Sequence, residues 1–355
     1  MGNRFSRWIP AAAAVVVVAA GAVTIPIAAD AAGTLAPKTA EQVLAMIGNS
    51  RVDAFSGKLS TVSNLGLPSL PTGVGTGGSS ASPDSDASSI LSLLSSPQSA
   101  RVYVDGASKE RVQVLSSLAE QDVIRNGADL WQYDSKKNTV THTTLAPHSS
   151  NEQPAVTKTP AEIAHALITE LSSSTTTSVG TNAQVAGRST YTLVLKPKAA
   201  DTLIGSVSIS VDGATGLPLA VDATARGADD PAAGVSFTSI DLSAPAASLF
   251  DFTPPKGAKV TEESTPQHST HSHAPAPTTE PKPTVVGTGW DAVVETPASA
   301  STSKLTGQKL FAELTTAVSG GRVFHTSLAN VLITTDGRVL AGSVSVDRLL
   351  AIAAQ

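Results

Sequence analysis

The sequence predicts an α+β fold: one long antiparallel sheet with two helices beside it, followed by a small C-terminal α/β module. Three observations carry this expectation. Alternating segments between 100 and 145 are punctuated by Asp105-Gly106 and Asn126-Gly127, turns that join antiparallel neighbours. A second β-rich run occupies 175–245, where Val207, Ile209 and Val211 face one way and Ser206, Ser208 and Ser210 the other. Helix starts with capping-box character, at Thr39 and Thr159, stand before and between the two runs. A sheet of that length must curl around its apolar face, because a flat one would expose it and aggregate.

The chain opens with Arg4 and Arg7 ahead of an apolar run at 8–29 and small residues around Ala29-Asp30-Ala31. That pattern marks export, and residues 1–32 read as a cleaved signal peptide or as a membrane anchor with its arginines inside. A helix is expected at 40–48, with Val43, Leu44, Met46 and Ile47 on one face and Gly48-Asn49 at its end. A strand at 52–63 places Phe55, Gly57 and Leu59 on one side. The Gly, Pro and Ser-rich stretch 65–86 is expected to be a loop, with a short apolar helix at 88–94 after it. The meander follows at 101–104, 111–114, 122–125, 129–133 and 139–145, then a loop holding Pro147 and Pro154, then a helix at 160–171 with proline at its first position. The second run closes at Phe250-Asp251-Phe252-Thr253-Pro254-Pro255. Residues 261–284 form a Pro, Thr and His-rich linker. The tail from 285 is read as a helix at 307–318, strands at 321–334 and 338–344 around Asp336-Gly337, and a helix at 345–354. A piece of about 70 residues is near the lower limit for an independent core, so it docks on the main domain or on a partner.

Composition excludes several functions. The 24 basic residues are scattered among 29 acidic ones, so nothing supplies the dense cationic footprint that nucleic acid requires. There is no cysteine, which removes disulfides, thiol nucleophiles and lipoprotein acylation at cysteine. No Gly-x-Ser-x-Gly lies near a histidine-bearing strand end, and no phosphate-binding glycine loop precedes a helix. His142 and His165 read as boundary or surface residues, while His268, His271 and His273 cluster in a linker without fixed geometry for a metal. No catalytic residue, metal or cofactor is expected.

What remains is an apolar surplus on the strands: Phe55, Leu59, Trp131, Tyr133, Leu193, Leu195, Val207, Ile209, Leu219, Val221, Val235 and Phe237. These side chains either fill a closed core or line a cavity lidded by the helices 40–48 and 160–171 and the loop 65–86. Periodicity alone does not separate the two.

The order of elements resembles the LolA-like superfamily over about residues 35–260, which includes outer-membrane lipoprotein carriers and RseB regulators of envelope stress. The resemblance rests on the hairpin Val123-Ile124-Arg125-Asn126-Gly127-Ala128-Asp129-Leu130-Trp131-Gln132-Tyr133, the pair Val207-Ser208-Ile209-Ser210-Val211-Asp212 to Leu217-Pro218-Leu219, and the closing Leu249-Phe250-Asp251-Phe252-Thr253-Pro254-Pro255-Lys256-Gly257-Ala258. It implies an open β half-barrel with a helical lid at 33–260, whose apolar cavity takes lipid or lipoprotein acyl chains, and a non-catalytic, extracytoplasmic role. A membrane protein partner such as an anti-sigma factor is the alternative it implies. The Ala-rich, lysine-poor composition looks actinobacterial, where outer-membrane delivery is not expected. The tail from 285 lies outside the resemblance.

Overall fold

The computed structural model describes residues 35–67, 99–116, 119–145, 159–264, 283–298 and 309–355. The expectations for 1–32, 68–86, 88–94, the Pro147 and Pro154 loop and the three clustered histidines lie outside these residues.

Thirteen strands form the main sheet. They are β1 (Ala54–Ser63), β2 (Ser99–Asp105), β3 (Lys109–Ser116), β4 (Ala119–Asn126), β5 (Asp129–Asp134), β6 (Thr139–Thr144), β7 (Thr175–Val179), β8 (Ala183–Val185), β9 (Arg188–Pro197), β10 (Ile204–Asp212), β11 (Pro218–Ala225), β12 (Pro231–Asp241) and β13 (Lys259–Ser264). Their spatial order is β13-β6-β5-β4-β3-β2-β1-β12-β11-β10-β9-β7, with β8 also on β9. The tight turns after β2 and β4 use Gly106 and Gly127 at φ of 70° and 64°, a region glycine enters without steric cost. Those hairpins are local. The join that makes one sheet is not: β1 pairs with β12, setting Leu59 opposite Phe237 across a bulge at Lys58/Leu59. The edges β13 and β7 do not pair with each other, so the sheet is open.

Strand β13 departs from expectation, since it falls partly inside the predicted linker. It pairs with β6 in parallel, Glu262 beside His142, and among the described residues is the one parallel strand in this sheet. Its β-branched Val260 and Thr261 find a ladder only because β6 would otherwise end the sheet with unpaired backbone.

Two helices cover one face. Helix α1 (Ala40–Gly48) has the full capping box, Thr39 accepting from the Gln42 amide while the Gln42 side chain accepts from the Thr39 amide, and it buries Ala40, Val43 and Ile47. Gly216 lets it sit close, because a Cβ there would lie 2.3 Å from the Met46 carbonyl oxygen. Helix α2 (Pro160–Leu171) starts on a similar reciprocal pair, Thr159 and Glu162, and buries Ala164 completely. A 3-10 turn, Ser172–Ser174, carries it directly into β7.

The tail forms a second sheet of six strands, β14 (Thr284–Val286), β15 (Val293–Thr296), β16 (Thr316–Val318), β17 (Gly321–His325), β18 (Asn330–Thr334) and β19 (Val339–Gly342), in the order β14-β15-β19-β18-β17-β16. Helix α3 (Lys309–Leu314) precedes β16, and α4 (Val346–Ala353) packs Leu349 and Ile352 on Val323, Leu332 and Leu340. The expected strand 321–334 is a hairpin instead. Thr326 breaks it, its hydroxyl accepting from the amides of Leu328 and Ala329. The expected helix 307–318 ends at Leu314, and 316–318 turns into strand β16.

The module is seated on the main domain. The Ser327 amide donates to the Leu65 carbonyl at 2.9 Å, and both the Thr202 hydroxyl and the Leu203 amide donate to the Ser343 carbonyl at 2.8 Å. Leu328 and Trp290 are buried within the main domain's own apolar cluster.

Candidate functional site

Cross-strand register assigns each side chain to a face, because directly opposed residues point the same way. Leu193, Ile209, Val221 and Val235 oppose one another in turn across β9 to β12. Leu195 and Val207 form the adjacent pair on the same side, one step of two along each strand. Phe237 lies opposite Leu59 and meets Phe55 edge-on, ring centroids 5.8 Å apart. Gly57 makes room for this contact, since a Cβ there would stand 2.7 Å from the Phe237 ring. With Leu219, these ten form one continuous cluster, every member at most 7% exposed. The helices close over it through Val43, Ile47 and Ala164, and Leu44, Met46, Ile163, Leu167 and Ile168 pack at its margin.

Trp131 and Tyr133 do not join this cluster. Trp131 opposes Ile124 and His142, and Tyr133 opposes Asp122 and Val140, which puts both on the other face of the sheet. Contrary to the expectation from the sequence, they do not sit with the other ten. They alternate with Leu130, which shares a row with Arg125 and Glu110, and their cover is Phe252 of the closing segment, at 5.5 and 6.1 Å between centroids. The same segment buries Phe250 and takes a hydrogen bond from Arg111 on the Leu249 carbonyl. Beneath it Arg111 pairs with the buried Asp122 at 2.6 Å. Burial pushes the Asp122 carboxyl up despite that guanidinium.

The helix-covered face carries a polar interruption, which the sequence reading missed. Glu110 of β3 and Arg125 of β4 oppose each other in the row that continues through Val104 to Phe55. Burial raises the Glu110 carboxyl to about 7, with Glu162 of α2 adding to the rise and Arg125 opposing it. Charged residues at alternate positions with buried valines were the available signal. On β11, Asp222 is pushed up to about 6 by burial alone, and its Oδ1 occupies the space that a Cβ on Gly234 would need.

His142 is held on both sides, Nδ1 by Glu262 at 2.6 Å and Nε2 by Asp129 at 3.0 Å, and stacks on Trp131 at 3.8 Å. Both ring nitrogens are thereby occupied, which suits a structural clamp and leaves neither free to take a proton from a substrate. His165 is exposed on α2. Among the described residues no three His, Asp or Glu side chains are placed to hold a metal, and no helix is long and apolar enough to cross a membrane.

Residues 114–253 match the family model described as outer membrane lipoprotein carrier protein LolA. No curated protein matches the chain. Among solved structures, MucB of Pseudomonas aeruginosa in complex with MucA is 15% identical, with 88% of this chain and 96% of that one covered and a TM-score of 0.45. A LolA superfamily protein of Nitrosomonas europaea is 14% identical, covering 61% and 99%, with a TM-score of 0.22. An uncharacterized conserved protein of Thermus thermophilus is 11% identical, covering 63% and 99%, with a TM-score of 0.36. The matched span runs from β3 through β12 to the closing segment, and the open sheet with its two covering helices has the LolA-like fold that this match points to.

Proposed function

We propose that the protein is an extracytoplasmic, non-catalytic binding protein that takes the acyl chains of a lipid or lipoprotein against the helix-covered face of its main sheet. The observation that supports this reading is the manner of cover. The continuous apolar surface from Phe55 to Leu195 faces two short helices rather than a second sheet, and helices can be displaced without breaking any strand pairing. Displacing them in favour of a hydrocarbon exchanges one apolar contact for another, and each methylene withdrawn from water contributes about 0.8 kcal/mol. Ten such groups offer roughly 8 kcal/mol before the costs of association, enough for useful affinity without any polar contact. The N-terminal segment 1–32 exports the chain and either leaves it free or tethers it to the membrane.

The second reading is a regulator that senses lipid and binds a membrane signalling partner such as an anti-sigma factor. It is favoured by the seating of the C-terminal module, which gives the main domain a second surface attached by hydrogen bonds and apolar packing. Native mass spectrometry and lipid extraction on full-length protein purified without detergent test the first reading. Co-purifying acyl species are expected, and uniformly empty protein that also fails to take up added lipid would overturn it. For the second, recovery of a membrane partner should fall when the surface of the module from 285 onward is altered.

A further inference from the structure

The C-terminal module reaches the main domain at two kinds of place. One is on the sheet itself. Thr202, 1% exposed, and Leu203 both donate to the Ser343 carbonyl just ahead of β10, and Ser327 bonds the chain at Asn64 and Leu65 just after β1. These contacts grip backbone already held by strand pairing. The other is at the join where the covering helix runs into β7. The short turn Gly289–Asp291 inserts Trp290, 5% exposed, into the main domain's apolar cluster. Its indole Nε1 donates to the Thr175 hydroxyl at 2.8 Å. Thr175 opens β7 directly after the Ser172–Ser174 turn that ends α2. Gly289 lies so close that a Cβ on it would meet the Ser174 Oγ at 2.6 Å, and its φ of 64° further favours glycine there.

Helix α2 is thus held at its C-terminal end by a side chain from a different module, which is itself footed on the rigid sheet. Its N-terminal end is held by its own cap at Thr159 and Glu162 and by the packing of Ile163 and Ala164, beside the polar pair of Glu110 and Arg125. A guest under α2 has to lift the helix. Lifting the helix strains the 172–174 turn, whose Ser174 carbonyl is tied to the end of β9 by the Lys198 amide at 2.9 Å, and pulls on the seat of Trp290 beside it.

We propose that Trp290 is the positioning residue of the lid: through it the C-terminal module clamps α2 onto the sheet, so that occupancy of the apolar face and the seating of the module are coupled. The coupling rests on the acyl-binding reading for its ligand, but the clamp itself is a property of the empty protein. Linkage makes the coupling reciprocal, so whatever holds the module in place weakens binding under α2 by the same factor by which a guest weakens the seat.

Hydrogen exchange on the full-length protein tests the clamp, and uptake of cis-parinaric acid, a fluorescent fatty acid, tests the coupling. In Trp290→Ala, the amides of α2 should exchange at least about tenfold faster, while those of β2 to β4 and of β17 to β19 keep their wild-type protection. Association and dissociation of cis-parinaric acid should both quicken. Trp290→Phe, which keeps most of the ring but loses the hydrogen bond, should fall between. Wild-type protection of α2 in Trp290→Ala, with the module still folded, would overturn the proposal. Should Trp290→Ala loosen the whole chain, Trp290→Phe and Thr175→Val decide: selective loosening of α2 supports the clamp, and unchanged α2 overturns it. If the wild-type protein takes up no cis-parinaric acid, the acyl-binding reading loses its support, while the exchange comparison still decides whether Trp290 holds the helix.

Discussion

The two faces of the main sheet are covered in opposite ways by the same chain. On one face, β9 to β12 and β1 present an apolar surface to helices that interrupt the strand order but carry none of its pairing. On the other, β3 to β6 are sealed by the closing segment, with Phe250 and Phe252 seated around an ion pair and a backbone hydrogen bond. Polar groups are what distinguish them. The sealed face spends Arg111, Asp122 and His142 on fixing one geometry, whereas the helix-covered face keeps its directional bonds at the margins. A cover held by apolar contact alone can trade places with a hydrocarbon, and one fixed by hydrogen bonds cannot do so without leaving them unmade.

The largest test of this contrast is on the sealed face. Arg111→Leu leaves Asp122, 3% exposed, without its guanidinium, and frees the Leu249 carbonyl. Loss of one partner of a buried pair costs about 3 to 5 kcal/mol, so the denaturation midpoint should drop sharply. The double variant Arg111→Leu/Asp122→Leu should recover most of that loss, because no charge is then stranded. Acyl binding below the melting temperature should be the same in all three. A double variant no more stable than Arg111→Leu would show that the pair does more than neutralise itself, and altered binding would show that the faces communicate.

What could be read from the sequence, and what could not, follows the range of the interactions. The capping boxes at Thr39 and Thr159 and the glycine turns at 106 and 127 are settled within four residues, and each stands where the sequence placed it. Strand β13 was invisible because Lys259–Ser264 has no partner nearby, only β6 far earlier in the chain. Trp131 and Tyr133 were correctly paired with each other, since alternation fixes which residues share a face. Alternation does not say which face, and the deciding contact, Phe252, arrives much later in the sequence. The ten clustered apolar residues were legible for the converse reason: β-branched and aliphatic residues repeated across several neighbouring strands leave only one side to bury. Trp290 gave no signal at all, because its partners belong to another module.

The polar interruption on the helix-covered face gives the intermediate effect. Glu110 titrates near 7 in the folded protein against an ordinary value of 4.5, so the folded form holds more protons between those values. Stability should therefore fall as pH rises from about 4.5 to 7 and stay low above it, the opposite of a salt-bridged carboxylate. Glu110→Gln should remove this dependence and raise stability at pH 8 by roughly 1 to 2 kcal/mol, given about 1.4 kcal/mol per unit and some residual contact with solvent. If α2 is the element that the ionised carboxyl repels through Glu162, the gain should appear as slower amide exchange at 160–171. A gain spread evenly over the sheet would place the strain elsewhere.

The smallest effect belongs to His142 on the sealed face. Partial burial lowers its pKa, but the hydrogen bonds to Asp129 and Glu262 outweigh burial and leave it raised above 6.5. A histidine whose folded value lies above its unfolded one adds stability in full below the unfolded value and loses it as pH climbs through the folded one. Because the carboxylates of Asp129 and Glu262 are 54% and 68% exposed, water screens the pair and the contribution stays under about 1 kcal/mol. That energy is concentrated on β13, which Glu262 ties to the sheet edge beside His142. Exchange of the β13 amides should accordingly quicken between pH 6 and pH 8.5 in the wild type and show no such step beyond the intrinsic rate in His142→Gln. Equal pH profiles in the two proteins would mean that the parallel ladder alone, and not the imidazolium, keeps this last strand on the sheet.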